Sequence, residues 1–362
     1  MLININSYMC SSVSTLVCVH LQHTCDRTFS RTILLFQSRY RYAFPASSLE
    51  YALVYVSGHR MEWTSYHRLE DIHGYLDYLA ETFPDVCSVV SIGNSVEGRP
   101  LKVLRISNGK ANAPALWIDG GIHAREWISP AAVTYVINHL VENSEDLEAD
   151  YYILPVVNPD GYEHTFTRDR LWRKNRRRSV GSLCTGVDLN RNFGYRWGGM
   201  GTSKDPCREI YAGSGPFSEP ETNAIRYFFE ASAAYLTFHS YGQYILYPWG
   251  YDKRVPPDYA DLENVGRQAA AAMKKAGGAN SVYTVGNSAT TLYAASGGSD
   301  DWAKAILKMK YTYTIELKDT GKYGFVLPAH YIIPTAKEAL AADLTRMDIP
   351  LASVQCHTVL WS

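Results

Sequence analysis

The chain has 362 residues, 46 % of them apolar, and 35 basic against 36 acidic side chains give a formal net charge of −1. That length holds one large α/β domain or two average ones, and the apolar share is enough for a substantial core. The near-neutral balance gives no electrostatic case for nucleic acid or an anionic membrane as partner, and no run is long and apolar enough to span a bilayer.

Residues 1–60 show no sustained periodicity and hold three of the seven cysteines, at 10, 18 and 25. They read as an N-terminal segment of unassigned structure. Val13 to Leu21 is fairly apolar, but the charged leader and clear cleavage site of a secretion signal are missing. From Tyr66 to Phe83, Leu69, Ile72, Leu76 and Leu79 form a helical stripe that Pro84 ends. Strands at about 87–92 and 101–106 follow, joined by a hairpin connection over 93–100. Ala115 to Asp119 is an apolar strand, after which Gly120 and Gly121 permit a sharp turn into His123-Ala124-Arg125-Glu126. A helix then starts with Ser129 and Pro130 as cap and first turn.

Further along, Ser218-x-x-Glu221 reads as a capping box opening a helix to about Glu230. Tyr235 to Phe238 is a short buried strand that stops at His239. A helix from Asp258 to Ala276 is closed by Gly277, Tyr311 to Ile315 is a strand that delivers Glu316, and Thr335 to Arg346 is the last helix. Arg170 to Arg178 is locally basic and reads as a solvated loop apart from one arginine. The alternation predicts a single α/β domain over 61–362, a mixed, mainly parallel twisted sheet with helices on both faces. In such sheets the ligand crevice lies beyond the carboxyl ends of the strands, where His123, Glu126, His239 and Glu316 fall.

Two imidazoles and one carboxylate, from His123, His239 and Glu126, make a three-ligand set with one open position, the pattern of a catalytic zinc site. A His-x-x-Glu pair alone is weak, since two surface polar groups share that spacing. Glu316 is the candidate general base and acid; its bland alternative is an ion pair with Lys318 or Arg105 at a sheet edge. Arg191, beside Asn190, offers a planar fork suited to a terminal carboxylate, which would confine action to chain ends.

His-Ala-Arg-Glu-Trp-Ile, Asn158-Pro159-Asp160-Gly161, Asp188-Leu189-Asn190-Arg191-Asn192, His239-Ser240-Tyr241, Ser296-Gly297-Gly298-Ser299-Asp300-Asp301-Trp302 and Thr314-Ile315-Glu316-Leu317 occur in that order. Together they resemble the zinc carboxypeptidases of the A/B type, closest to the B kind, from about Met61 to about Ala341. The resemblance implies one zinc per chain on His123, Glu126 and His239, and an extracellular monomer acting on peptide or protein C-termini. It places Arg173 near the scissile carbonyl and Arg125 further out along the peptide, with Tyr241 also among the substrate-binding residues. Asp188 is placed behind a zinc-bound imidazole, and Tyr293 as a cap over substrate. It also implies a Cys184–Cys207 disulfide, and so an oxidising compartment; two unpaired buried thiols are the alternative.

Specificity turns on Asp300, which the resemblance places at the base of the pocket for the last side chain, with Ser288 leaving room for a long one and Leu292 on the wall. A carboxylate there selects C-terminal lysine and arginine. Ser299-Asp300-Asp301 also suits a helix start without any substrate, with Ser299 as cap. The rival functions are an A-like preference for apolar ends and a non-catalytic peptide-binding or misassembled product. The second arises because 1–60 carries no recognisable complete prosegment and the 141–152 connection is shorter than the family's.

Overall fold

In the computed structural model, which describes residues 54–56, 59–229 and 232–343, eight strands make one mixed sheet. They are β1 (Cys87–Asn94), β2 (Pro100–Ile106), β3 (Ala115–Gly120), β4 (Asp150–Leu154), β5 (Ala234–Ser240), β6 (Tyr244–Tyr247), β7 (Thr284–Asn287) and β8 (Tyr311–Leu317). Their spatial order is β1-β2-β4-β3-β5-β8-β6-β7. The centre, β4-β3-β5-β8, is parallel, as is β6-β7; β1-β2, β2-β4 and β8-β6 are antiparallel. Every residue of β5 is buried, as expected of a parallel strand covered on both faces. A separate two-stranded ribbon pairs Val54–Val56 with His59–Met61. The rest of the 1–60 segment, with Cys10, Cys18 and Cys25, lies outside the described residues, as does Cys356.

Helices cover the two faces unequally. α1 (Leu69–Thr82), α2 (Ile128–Glu142), α5 (Tyr259–Gly277) and α8 (Ile332–Ala341) bring Leu76, Ile137, Leu262 and Ala336 against Ile118, Leu236 and Tyr313, which are neighbours across β3, β5 and β8. On the opposite face α4 (Pro220–Phe228) and α7 (Ser299–Ala305) bring Ile225 and Trp302 against Trp117 and Tyr235. Two short helices, α3 (Pro159–Thr167) and α6 (Ser288–Thr291), lie in the connections. The short link after α2 closes through a 3-10 turn at Ser144–Asp146 with Leu147 and Ala149 buried, and β4 pairs in register on both sides.

Several element ends differ from expectation, each because a tertiary partner outcompetes a local signal. α4 starts at Pro220, not at a Ser218 cap: the Ser218 hydroxyl bonds Glu219, and Glu221 accepts from Val96 N at 3.1 Å and Asn175 Nδ2 at 3.2 Å. α5 closes one residue late, at Gly278, which takes the left-handed φ of +80°. α8 begins at Ile332 and ends at Ala341, whereas 344–346 of the expected helix are not described. The basic run is not simply a solvated loop. Lys174 is buried, donating to the carbonyls of Pro206 and Arg208, and Arg170 donates to those of Arg125 and Phe325.

Cys184 and Cys207 form a disulfide across 23 residues, and Cys87 is a buried free thiol. Replacing both bridged cysteines by serine is expected to lower unfolding free energy by about 3 kcal/mol, from the loop-closure entropy returned to the unfolded chain. Denaturant titration under non-reducing conditions measures this; an unchanged midpoint would mean that the bridge constrains nothing.

Candidate active site

β3 ends at Gly120, and the two glycines there serve different ends. Gly121 takes a φ of +64° and starts the turn. Gly120 is needed for space, since a Cβ on it would sit 2.7 Å from Ser129 Oγ. Ser129 is not the helix cap expected of it. α2 begins at Ile128 with Trp127 at the cap position, and the Ser129 hydroxyl accepts from Gly121 N at 3.0 Å and donates to Phe238 O at 2.6 Å. It thus ties the loop after β3 to β5, bringing His123 and Glu126 beside His239.

His123 Nδ1 lies 2.8 Å from Glu126 Oε1, His239 Nδ1 lies 3.2 Å from Glu126 Oε2, and the two Nδ1 atoms are 3.2 Å apart. One donor atom from each residue falls within 4.8 Å of the others, and all three side chains are buried. Two imidazole lone pairs turned towards each other and a carboxylate are mutually repulsive unless a proton or cation lies between them, and two nitrogens with one oxygen suit zinc. The set therefore fits one zinc ion. Burial would raise the Glu126 carboxyl, but the imidazoles of His123 and His239 outweigh it and hold the group well below its ordinary range. Behind His123, Asp188 Oδ1 is 3.2 Å from Nε2, while Asp188 Oδ2 accepts from Arg173 Nε at 3.1 Å and Nη2 at 2.9 Å.

A cavity of about 320 Å³ opens over this triad, and every residue assigned to metal, catalysis or substrate from the sequence lines it. β5 and β8 run parallel with His239 opposite Glu316, so the candidate base sits beside a metal-ligating residue because of register alone. Its alternative partners are engaged elsewhere: Lys318 pairs with Glu338 at 2.6 Å and Arg105 with Asp150 at 2.7 Å. Arg191 is fixed by the carbonyls of Gly201 and Asn190, at 2.9 and 2.8 Å, and Asn190 Oδ1 accepts from Ser299 N at 3.0 Å. Arg125 lies over the Phe325 ring, 4.2 Å from its centroid, and Tyr241 packs edge-on against the same ring. Tyr293 is 54 % exposed, which excludes core packing as its role.

Residues 72–342 match the zinc carboxypeptidase family. The chain belongs to that family. It is 48 % identical over 288 residues to carboxypeptidase B of Astacus astacus, covering 77 % of this chain and 94 % of that one. To carboxypeptidase A1 of Sus scrofa it is 41 % identical over 297 residues, covering 79 % and 70 %. Bovine thrombin-activatable fibrinolysis inhibitor, solved in complex with tick carboxypeptidase inhibitor, superposes with a TM-score of 0.74 at 42 % identity, over 80 % of this chain and 97 % of that one. The chain is thus a metallocarboxypeptidase, a hydrolase of peptide bonds, and among the described residues no helix is long and apolar enough to cross a membrane.

In this zinc carboxypeptidase the cavity wall also carries an acidic group apart from the triad and Glu316. Asp300, on the first turn of α7, is buried; its Oδ1 accepts from Asp301 N at 2.8 Å and its Oδ2 from Thr314 Oγ1 at 3.2 Å. Among the described residues no lysine or arginine pairs with it, and burial pushes its carboxyl up. Its neighbour Asp301 instead uses both oxygens on backbone, from Gly250 N at 2.8 Å and Tyr251 N at 2.9 Å. The cap of α7 is Gly298, not Ser299. Near the triad, burial pushes the Glu316 carboxyl up to about 7; His239 pulls it down, Glu126 pushes it further up, and Arg173 and Arg191 pull it down.

Sequence reasoning missed some of the lining. Thr314 shares a strand face with Glu316 two residues on, so period-two alternation was the signal that it too faces the site. Gly250, Leu246, Ala295 and Phe325 also line the cavity and carried no motif. Gly250 acts by what it lacks: a Cβ there would lie 3.2 Å from Ala295 O and 3.7 Å from Ser288 Cβ.

Proposed function

We propose that this metallocarboxypeptidase removes C-terminal lysine and arginine from peptides and proteins. The observation that carries the preference is Asp300, a buried carboxylate lining the cavity without a cationic partner among the described residues. A buried charge is costly until paired, so a basic side chain entering the pocket supplies what the fold leaves out, and an apolar one does not. Ser288 and Gly250 keep the surrounding wall small, and Leu292 gives it an apolar stretch for the aliphatic stem of the incoming residue.

His123, Glu126 and His239 would hold the zinc, which when bound supplies Lewis-acid polarisation and acidifies water near neutral pH. Glu316 accepts a proton from the attacking water and returns it to the leaving amine. Arg173, anchored through Asp188, presents a fixed positive charge to the developing oxyanion. Burial works against that charge, but Asp188 and Glu126 outweigh it and raise the guanidinium's pKa, so it stays protonated throughout. Arg191 and Asn190 grip the terminal carboxylate, which restricts cleavage to the last bond. Arg125 and Tyr241 contact the peptide upstream, and Tyr293 covers bound substrate against water.

The catalytic unit is read as residues 61–362, preceded by a separate segment over 1–60, and the molecule as an extracellular monomer. The disulfide supports an oxidising compartment. The deciding experiment measures free Arg, Lys and Phe released from peptides that differ only at the last residue, with and without a zinc chelator. Chelator-sensitive release of Arg and Lys ahead of Phe is expected. Faster release of Phe would transfer the pocket to the A kind, and release that survives complete zinc removal would refute the mechanism.

A further inference from the structure

β3 and β5 place a row of polar side chains directly behind the triad. Asp119 pairs with Thr237 and Trp117 with Tyr235, and Thr237 and His239, two apart, share one face of β5. Asp119 is fully buried, and its Oδ2 accepts from Trp117 Nε1 at 2.7 Å and from Tyr235 Oη at 2.6 Å. Its other oxygen, Thr237 Oγ1 and His239 Nε2 make no hydrogen bond of ordinary length and angle among the described residues, and all three atoms are buried; the Thr237 hydroxyl nonetheless stands close enough to Asp119 to oppose the upward push of burial on its carboxyl.

These three atoms are chemically complementary. His239 turns Nδ1 towards Glu126 and His123, so a neutral ring ligating through Nδ1 carries its proton on Nε2. That leaves one buried donor, one buried carboxylate oxygen and one hydroxyl able to do either, on adjacent positions of two paired strands. A buried water needs two to four such partners. For His123 the corresponding ring nitrogen already lies 3.2 Å from Asp188 Oδ1.

We propose that Asp119 is a positioning residue for His239, accepting the Nε2 hydrogen bond through a buried water shared with Thr237, as Asp188 serves His123 directly. The hydrogen-bond chain is closed and the proton stays on Nε2: His239 N–H donates to the water, and the water donates to Asp119 Oδ1. The effect is to fix the tautomer and ring orientation of one ligand and to raise its basicity towards the metal, which typically changes affinity 10- to 100-fold. Asp119 touches neither substrate nor metal. The inference rests on His239 being a zinc ligand, as proposed above.

The test is the zinc dissociation constant of the full chain, from competition with a chromogenic chelator, together with the melting temperature of the stripped protein. Asp119→Asn is expected to weaken zinc binding roughly 10- to 100-fold. Tyr235→Phe removes one donor to the already bonded oxygen and leaves the Asp119 carboxylate in place, so it should lower the melting temperature and weaken zinc binding clearly less than Asp119→Asn does. Unaltered zinc affinity in Asp119→Asn, or an equal loss in Tyr235→Phe, would overturn the inference by making Asp119 a structural acceptor only. Should Asp119→Asn not fold, Thr237→Val decides: several-fold weaker zinc binding is expected, and none refutes it. Failure of the unaltered chain to bind zinc would sink the proposed function as well; normal binding by all variants sinks this inference alone.

Discussion

Replacing Glu316 by glutamine is expected to reduce kcat by roughly 10²- to 10⁴-fold, the usual worth of a positioned general base and acid. That corresponds to about 3–5 kcal/mol of transition-state stabilisation. The amide keeps the shape of the side chain and can still face the cavity, but it cannot take a proton from water. KM should change little, because the groups assigned to grip the substrate are Arg191, Asn190 and Asp300. Zinc content should be retained, since the three atoms that converge within 4.8 Å come from His123, Glu126 and His239 and not from Glu316.

Stability should move the other way from activity. Burial pushes the Glu316 carboxyl up, so its ionised form is disfavoured by the fold, and the variant removes that penalty without breaking an ion pair to Lys318 or Arg105. The stripped variant should therefore melt no lower than the stripped parent at pH 8. Turnover within about tenfold of the parent would remove Glu316 from proton transfer, given what that role contributes. A lower melting temperature alongside lost activity would point to a structural carboxylate instead.

Why these residues were legible at all follows from what each has to do. His123 and Glu126 must be metal-binding types at short spacing on one loop, and Gly120 and Gly121 before them announce the turn, so residue identity carries the information. His239 and Glu316 were legible because each ends an apolar run, and parallel pairing then sets them side by side. Gly250, Ala295 and Leu246 work through shape or through an absent side chain, and nothing in their type marks them out. The assignments of Ser288, Asp300 and Tyr293 came from the resemblance; on residue type alone Asp300 was an ordinary helix-start acid.

Where the fold departs from a local signal, one physical cause recurs. Ser129, Ser218 and Lys174 each carried a local signal, for a cap, a capping box and a solvated charge run. In the fold their polar atoms go to Phe238 O, Glu219 and the carbonyls of Pro206 and Arg208. Local capping is worth about 1 kcal/mol, no more than a buried hydrogen bond to a distant partner, so tertiary structure decides. For Ser129 that outcome is functional, because the same hydroxyl joins the strand of one imidazole to the loop of the other.

Asp300→Ala should cut kcat/KM for peptides ending in Lys or Arg by roughly 10²- to 10⁴-fold, because removing one partner of a buried charge pair costs about 3–5 kcal/mol. Peptides ending in Phe or Leu should be cleaved as well or better, since the pocket no longer asks an apolar group to desolvate a carboxylate. The competing account makes Asp300 a first-turn acid that stabilises α7 through the helix dipole. On that account its loss would lower the melting temperature by a small, substrate-independent amount and leave the Arg-to-Phe ratio where it was.

The geometry already separates the two acids of that turn. Asp301 holds Gly250 N and Tyr251 N, so Asp301→Asn should destabilise the protein and disturb the pocket floor without reversing its charge preference. Among the described residues the donors to Asp300 are neutral, the Asp301 amide, the Thr314 hydroxyl and its own backbone amide, in a buried setting that pushes its carboxyl up. Neutral hydrogen bonds of this kind do not balance a buried charge. The parent should therefore gain as much from a basic substrate end as the Asp300→Ala variant loses, and free arginine should raise the melting temperature of the parent but not of that variant. An Arg-to-Phe preference that survives Asp300→Ala would place the cation-binding group elsewhere in the cavity.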